Sequence, residues 1–171
     1  MQSGMNEDGW RVGRPTENVV SRCNRTCHGH GRAVFGSDTS GGIRNVYVHS
    51  SIFEGTDLGI RLKSTRGRGG VVEKLWFEDI DMIGLAGDAV QIKMDYRAWM
   101  GTTEGKVPEF RDMSFRNSRV AGAGQAMNIE GLPESLVQGL RFEDIHIQAK
   151  KGIHARWVEG MALEQVVVEA E

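Results

Sequence analysis

Phe77-Glu78-Asp79-Ile80-Asp81-Met82 and Phe142-Glu143-Asp144-Ile145-His146-Ile147 are the clearest pair of copies in an internal repeat, and the repeat decides the fold. The six copies open with Asn18-Val19-Val20, Asn45-Val46-Tyr47-Val48-His49, Leu75-Trp76-Phe77, Met113-Ser114-Phe115-Arg116-Asn117, Leu140-Arg141-Phe142 and Ala162-Leu163-Glu164-Gln165-Val166. Placing Val48, Phe77, Phe115, Phe142 and Leu163 in one column gives steps of 29, 38, 27 and 21 residues.

Each unit also carries a second short strand after a Gly-rich turn. The copies are Gly31-Arg32-Ala33-Val34-Phe35, Gly59-Ile60-Arg61-Leu62-Lys63, Ala89-Val90-Gln91-Ile92-Lys93, Ala126-Met127-Asn128-Ile129-Glu130 and Gly152-Ile153-His154-Ala155-Arg156-Trp157. Apolar and polar residues alternate, so one face is buried and the other wet. No long stretch has helical period. Short alternating strands, Gly turns and a period near 27 predict coils of strand stacked about 4.8 Å apart. The expected fold is all-β, a parallel β-solenoid of about five to six coils, forming a single domain over residues 1–171.

Two departures from the repeat matter. The longest step holds an insertion from Tyr96 to Glu109, with Trp99, Gly101, Gly105 and Pro108; on a solenoid such an insertion becomes a loop on one face, often the binding face. The first unit, Ser21-Arg22-Cys23-Asn24-Arg25-Thr26, has polar residues in both phases and offers no clean core face. An N-terminal coil with nothing stacked on it exposes unpaired backbone groups. Both features fit a chain cut from a longer one.

The totals bound the function. The chain has 171 residues, 23 of them Gly and 3 Pro, and a formal net charge of −2. That length suits one domain with a sizeable core. The charge makes no general case for nucleic acid or membrane as partner, and no apolar run approaches the roughly 20 residues that span a bilayer. The start, Met1-Gln2-Ser3-Gly4-Met5-Asn6, lacks the basic and apolar regions of a secretory signal. Cys23 and Cys27 are the two cysteines. With no second pair, a structural metal site is not expected. On one straight strand their side chains lie about 13 Å apart, too far for a disulfide without a bend; they read as free or locally paired thiols.

Arg61-Leu62-Lys63-Ser64-Thr65-Arg66-Gly67-Arg68 holds four cations and no acid. With Ile60 and Leu62 pointing inward, Arg61 and Lys63 point outward together, about 7 Å apart. That pair can grip one carboxylate, Arg by its fork and Lys as a point charge. A basic patch on a slightly acidic protein suggests an anionic ligand; the plain alternative is a solvated strand face followed by a basic turn. Arg66-Gly67-Arg68-Gly69-Gly70 also resembles an RNA-binding Arg-Gly box, but one copy between two strands does not support nucleic-acid binding. Counting one coil earlier sets Val34 beside Arg61 and Gly36 beside Lys63, which brings His30 onto the same outward face. His28-Gly29-His30-Gly31 reads otherwise as a turn, and as a metal site it lacks a third ligand.

These residues also make a family pattern. Gly29-His30-Gly31, Gly36-Ser37-Asp38, Ser40-Gly41-Gly42, Gly59-Ile60-Arg61-Leu62-Lys63 and Arg66-Gly67-Arg68-Gly69-Gly70 resemble, in that order, the signature of glycoside hydrolase family 28, the polygalacturonases, exo-polygalacturonases and rhamnogalacturonases. The resemblance is strong from Asn6 to Asp81 and looser to Glu171. It implies a right-handed parallel β-helix of the pectin-lyase-like type and hydrolysis of α-1,4-linked galacturonan with inversion. Such chemistry uses one carboxyl as acid and another as base, about 6.5–9.5 Å apart. The family's acids lie in an Asn-x-Asp motif and a following Gly-Asp-Asp or Gly-Gln-Asp motif. Neither stands at its place in this chain, and Asp8 and Asp38 do not fall at matching positions; Asp38 is at most a rim contact. Gln2-Ser3-Gly4 resembles the segment that follows the Asp-Asp strand, which puts the acids just before Met1.

By resemblance, His30 assists protonation, Arg61 and Lys63 bind the galacturonate carboxylate beside the scissile bond, and Tyr96 contacts substrate. The resemblance implies no cofactor or metal, a pectic polyanion as partner, a monomer, and a secreted or periplasmic location. Two alternatives remain. One is a non-catalytic pectin-binding solenoid that keeps the subsite. The other is a pectate-lyase-like β-helix, which needs a Ca²⁺-binding carboxylate cluster that is not seen in sequence near Arg61.

Overall fold

A computed structural model of the protein describes residues 1–4, 7–22, 25–29, 33–96 and 105–171, with the side chains of all of these but 7, 8, 10 and 25–29. A short helix α1 (Glu7–Val12) precedes thirteen strands: β1 (Thr16–Arg22), β2 (Arg25–Gly29), β3 (Ala33–Phe35), β4 (Ile43–Thr56), β5 (Ile60–Lys63), β6 (Val71–Ile83), β7 (Asp88–Lys93), β8 (Glu109–Ala121), β9 (Gln125–Glu130), β10 (Val137–Ala149), β11 (Ile153–Arg156), β12 (Val158–Glu159) and β13 (Ala162–Ala170). All strand pairings are parallel. An eight-stranded sheet runs β1-β4-β6-β8-β10-β12, with β2 beside β4 and β13 beside β10, and a five-stranded sheet runs β3-β5-β7-β9-β11. The chain climbs one coil at a time between the two sheets, which is a right-handed parallel β-helix with six levels in one sheet and five in the other.

The repeat column is the observed register. Val48, Phe77, Phe115, Phe142 and Leu163 are successive Cα partners. Inside, Phe77 stacks on Phe115 at 4.9 Å and Phe115 on Phe142 at 4.6 Å between ring centroids, and Phe35 meets Phe77 edge-on at 5.5 Å. Ile60 and Leu62, Val90 and Ile92, and Met127 and Ile129 fill the other side of the core, all buried.

The long strands differ from the short alternating copies expected from sequence. β6, β8 and β10 have 13 residues each and β4 has 14. Each turns two corners at residues with positive φ, and β4 has a third such residue, Gly55, just before its end. One corner column is Asn18, Asn45, Lys74, Asp112, Gly139 and Gly160; the other is Ser50, Asp79, Asn117, Asp144 and Gln165. Most are Asn, Asp or Gly, the residues that enter this region at least cost. Each corner slips the in/out phase by one residue, so Val72 and Leu75, then Phe77 and Ile80, all face inward. The corners also pair between coils: Asn117 Nδ2 donates to Asp79 Oδ1 at 2.6 Å and Asn45 Nδ2 to Asn18 Oδ1 at 3.3 Å.

Met1–Ser3 run alongside β3. The Gly36 amide donates to the Met1 carbonyl, and the Ser3 amide to the Asp38 carbonyl, both at 2.8 Å. Cys23 and the Cys27 side chain lie outside the described residues, as do residues 97–104 of the expected insertion.

Candidate functional site

Strand β5 supplies the two cations singled out in sequence. Ile60 and Leu62 are buried, and Arg61 and Lys63 emerge on the other face. Val34 is the Cα partner of Arg61, as the coil-to-coil count predicts. Tyr96 joins them from the segment after β7: its amide donates to the Ser64 carbonyl at 2.9 Å. Its ring takes both charges, with Arg61 Cζ at 4.9 Å and Lys63 Nζ at 4.3 Å from the centroid, within the range of cation–π attraction. Three of the four site residues expected from sequence thus meet at one place. The fourth, His30, lies outside the described residues.

The four-cation run divides. Arg66 is held in a two-point pair by Glu134, Nε to Oε1 at 2.5 Å and Nη2 to Oε2 at 3.1 Å. Its hydrogen bonds, and then the Glu134 backbone amide, hold the Glu134 carboxyl below the usual carboxylate range. Arg68 Nη1 meets Asp38 Oδ1 at 2.5 Å, so Asp38, a rim contact in the sequence reading, is bound into the turn. Arg61 and Lys63 have no ion-pair partner among the described residues. The patch available to an anion is therefore two cations over one aromatic ring.

Behind this pair lies a buried polar hinge that sequence reading missed. The fully buried Thr39 hydroxyl donates to the Gly69 carbonyl at 2.9 Å and accepts from the buried Ser64 hydroxyl at 2.7 Å. This ties the Arg66–Gly70 turn to the preceding coil and fixes the end of β5. Two glycines permit the approach. A Cβ on Gly36 (φ +93°) would meet the Lys63 carbonyl oxygen at 1.9 Å, and one on Gly70 (φ +80°) the Thr39 carbonyl oxygen at 1.6 Å. Gly36→Ala must push the backbone under Lys63 outward. It is expected to lower stability by about 1–3 kcal/mol, read as a lower midpoint in thermal unfolding.

The neighbouring coil pairs its charged groups internally. Lys93, the partner of Lys63 in the ladder, is 3.3 Å from Glu130. Asp88 Oδ2 accepts from Gln91 Nε2 at 2.6 Å and from Asn128 Nδ2 at 3.1 Å. None of these pairs had a sequence signal beyond its polarity on an outward strand position.

Comparison with known families places the chain. The model of the glycosyl hydrolases family 28 matches residues 5–162. This chain belongs to that family. It is 33% identical over 136 residues to an exo-poly-alpha-D-galacturonosidase of Dickeya chrysanthemi, covering 75% of this chain and 22% of the relative. It is 27% identical over 164 residues to a probable polygalacturonase of Vitis vinifera, covering 88% of this chain and 31% of the relative. The family 28 chain thus spans between about a fifth and a third of the curated relatives' length. Its structure resembles an exopolygalacturonase of Thermotoga maritima with a TM-score of 0.93 and 28% identity, over 98% of this chain and 38% of that one. A family 28 exopolygalacturonase of Yersinia enterocolitica, at 19% identity, TM-score 0.78 and coverage of 99% and 34%, shares the fold.

Proposed function

We propose that this chain carries the galacturonate-binding wall of a polygalacturonase-type hydrolase acting on α-1,4-linked galacturonan with inversion. The observation that carries the reading is the convergence of Arg61 and Lys63 on Tyr96 with no carboxylate paired to either among the described residues. Two adjacent uncompensated cations match an acidic sugar, and an aromatic face beneath them suits the apolar side of a pyranose ring. In this reading Arg61 and Lys63 hold the carboxylate beside the scissile bond, Tyr96 shapes the floor, and His30 assists the acid. The named activities of the relatives support the substrate class.

The acid and base belong to motifs that do not stand at their places here, so the 171-residue chain alone binds without hydrolysing. It works as one domain and as a monomer, on a pectic polyanion, with no metal, in a secreted or periplasmic setting. No described helix is long and apolar enough to cross a membrane. The second reading, a non-catalytic pectin-binding solenoid, shares the subsite.

Titration calorimetry of the purified chain with trigalacturonate, beside a reducing-end assay, tests this. Salt-sensitive binding with no release of reducing ends is the expected result. Absence of binding at low salt sinks the subsite, and substantial hydrolysis sinks the claim of inactivity. Reading the encoding DNA upstream of Met1 separates the two readings: an in-frame Asp-Asp motif favours the hydrolase, a stop codon followed by a start signal the binder.

A further inference from the structure

The coil after Arg61 and Lys63 places Gln91 and Lys93 beside them as Cα partners. Gln91 is 9% exposed. Its Nε2 donates to Asp88 Oδ2 at 2.6 Å, and Asn128 Nδ2 donates to the same oxygen at 3.1 Å. A carboxylate only accepts hydrogen bonds, so the amide cannot turn round: its nitrogen faces Asp88 and its oxygen faces away. That oxygen, Oε1, is buried and has no partner among the described residues. Arg61 Nε is likewise buried and has no partner among the described residues. One atom is an obligate acceptor and the other an obligate donor, on residues one rung apart in the same ladder. Buried polar atoms left unpaired are costly, and these two complement each other.

We propose that Gln91, oriented by Asp88, is a positioning residue for Arg61. When a carboxylate draws the guanidinium into place, Gln91 Oε1 accepts the Nε–H. The two terminal nitrogens of Arg61 are then left to grip the ligand end-on. Lys93 does not compete for this anion, because Glu130 occupies it. The proposal deepens the carboxylate-binding reading and rests on it.

A double-mutant cycle tests the coupling. Gln91→Leu removes the acceptor and keeps the bulk. It should weaken trigalacturonate binding by roughly 5–20-fold in the otherwise unchanged chain, yet cause no further loss in an Arg61→Ala background. Additive losses would overturn the proposal, since Gln91 would then act without Arg61. Asp88→Asn, which keeps the packing but lets the amide turn, should reproduce part of the loss; it carries the test if Gln91→Leu does not fold. A second readout is solvent exchange of the Arg61 Nε–H by ¹H–¹⁵N NMR, with and without trigalacturonate. It should slow on ligand addition in the unchanged chain and stay fast in Gln91→Leu. If the sugar binds and the exchange is the same in both, the positioning role alone is overturned. If the sugar does not bind at all, the subsite reading fails, and the positioning role, which needs the bound carboxylate, is overturned with it.

Discussion

Phe115→Ala is expected to be the most damaging single change in the core, costing about 3–5 kcal/mol. Phe115 is 1% exposed and lies between Phe77 and Phe142 with both rings nearly parallel to it, at 4.9 and 4.6 Å. Truncation opens a gap in the middle of a stack that the coils above and below cannot close without breaking their own ladder bonds. Against a typical total of about 5–15 kcal/mol, that removes a large share of stability and should lower the unfolding midpoint by about 6–20 °C. Trp76→Ala is the control. Trp76 is the outward neighbour of Phe77 and 42% exposed, so its loss should cost much less. Equal drops for the two variants would contradict the inward and outward assignment of these strands.

Arg61→Ala should weaken galacturonate binding by about 10–100-fold, the range expected for a charge-assisted, two-point contact. Lys63→Ala should cost less, because a point charge lacks the fork. Both losses should shrink as salt rises, since the contribution is largely charge. Neither change should unfold the chain: Arg61 and Lys63 are half-buried outward residues with no ion-pair partner to orphan among the described residues. Arg66→Ala makes the contrast, since it strands Glu134 and should leave sugar binding nearly unchanged. Calorimetry of the three variants at low and high salt checks the order. A loss for Arg66→Ala as large as for Arg61→Ala would mean that the whole basic run, and not the pair over Tyr96, meets the ligand.

The stacking was legible because it rests on large apolar residues at constant register. Val48, Phe77, Phe115, Phe142 and Leu163 share one column of the repeat, and they are true ladder partners. The corners were not legible as corners. A residue in left-handed conformation shifts the alternation by one, so Leu75 to Ile80 reads as an isolated strand when it is the middle of a longer, twice-bent one. The Asn and Asp residues at Asn45, Asp79, Asn117 and Asp144 were visible, but their meaning depends on the coil above and below. The Arg61–Lys63 pair was readable for the opposite reason: both sit on one short strand, where parity alone decides direction. Tyr96 was reached only through family resemblance. Arg66 with Glu134, 68 residues apart, and Gln91 with Asp88 and Asn128, had no local signature, because side-chain pairing across turns depends on geometry that composition does not carry.

The coil holding the longest step between Phe rings, from Phe77 to Phe115, stacks almost as closely as the shorter one that follows, with centroids 4.9 Å apart against 4.6 Å. The extra length between Tyr96 and Glu109 leaves the register of β8 on β6 intact. Segments borrowed from other family members could be grafted at that one junction, beside Tyr96 and the two cations, to redesign which polymer is preferred while the supporting architecture stays interchangeable beneath them.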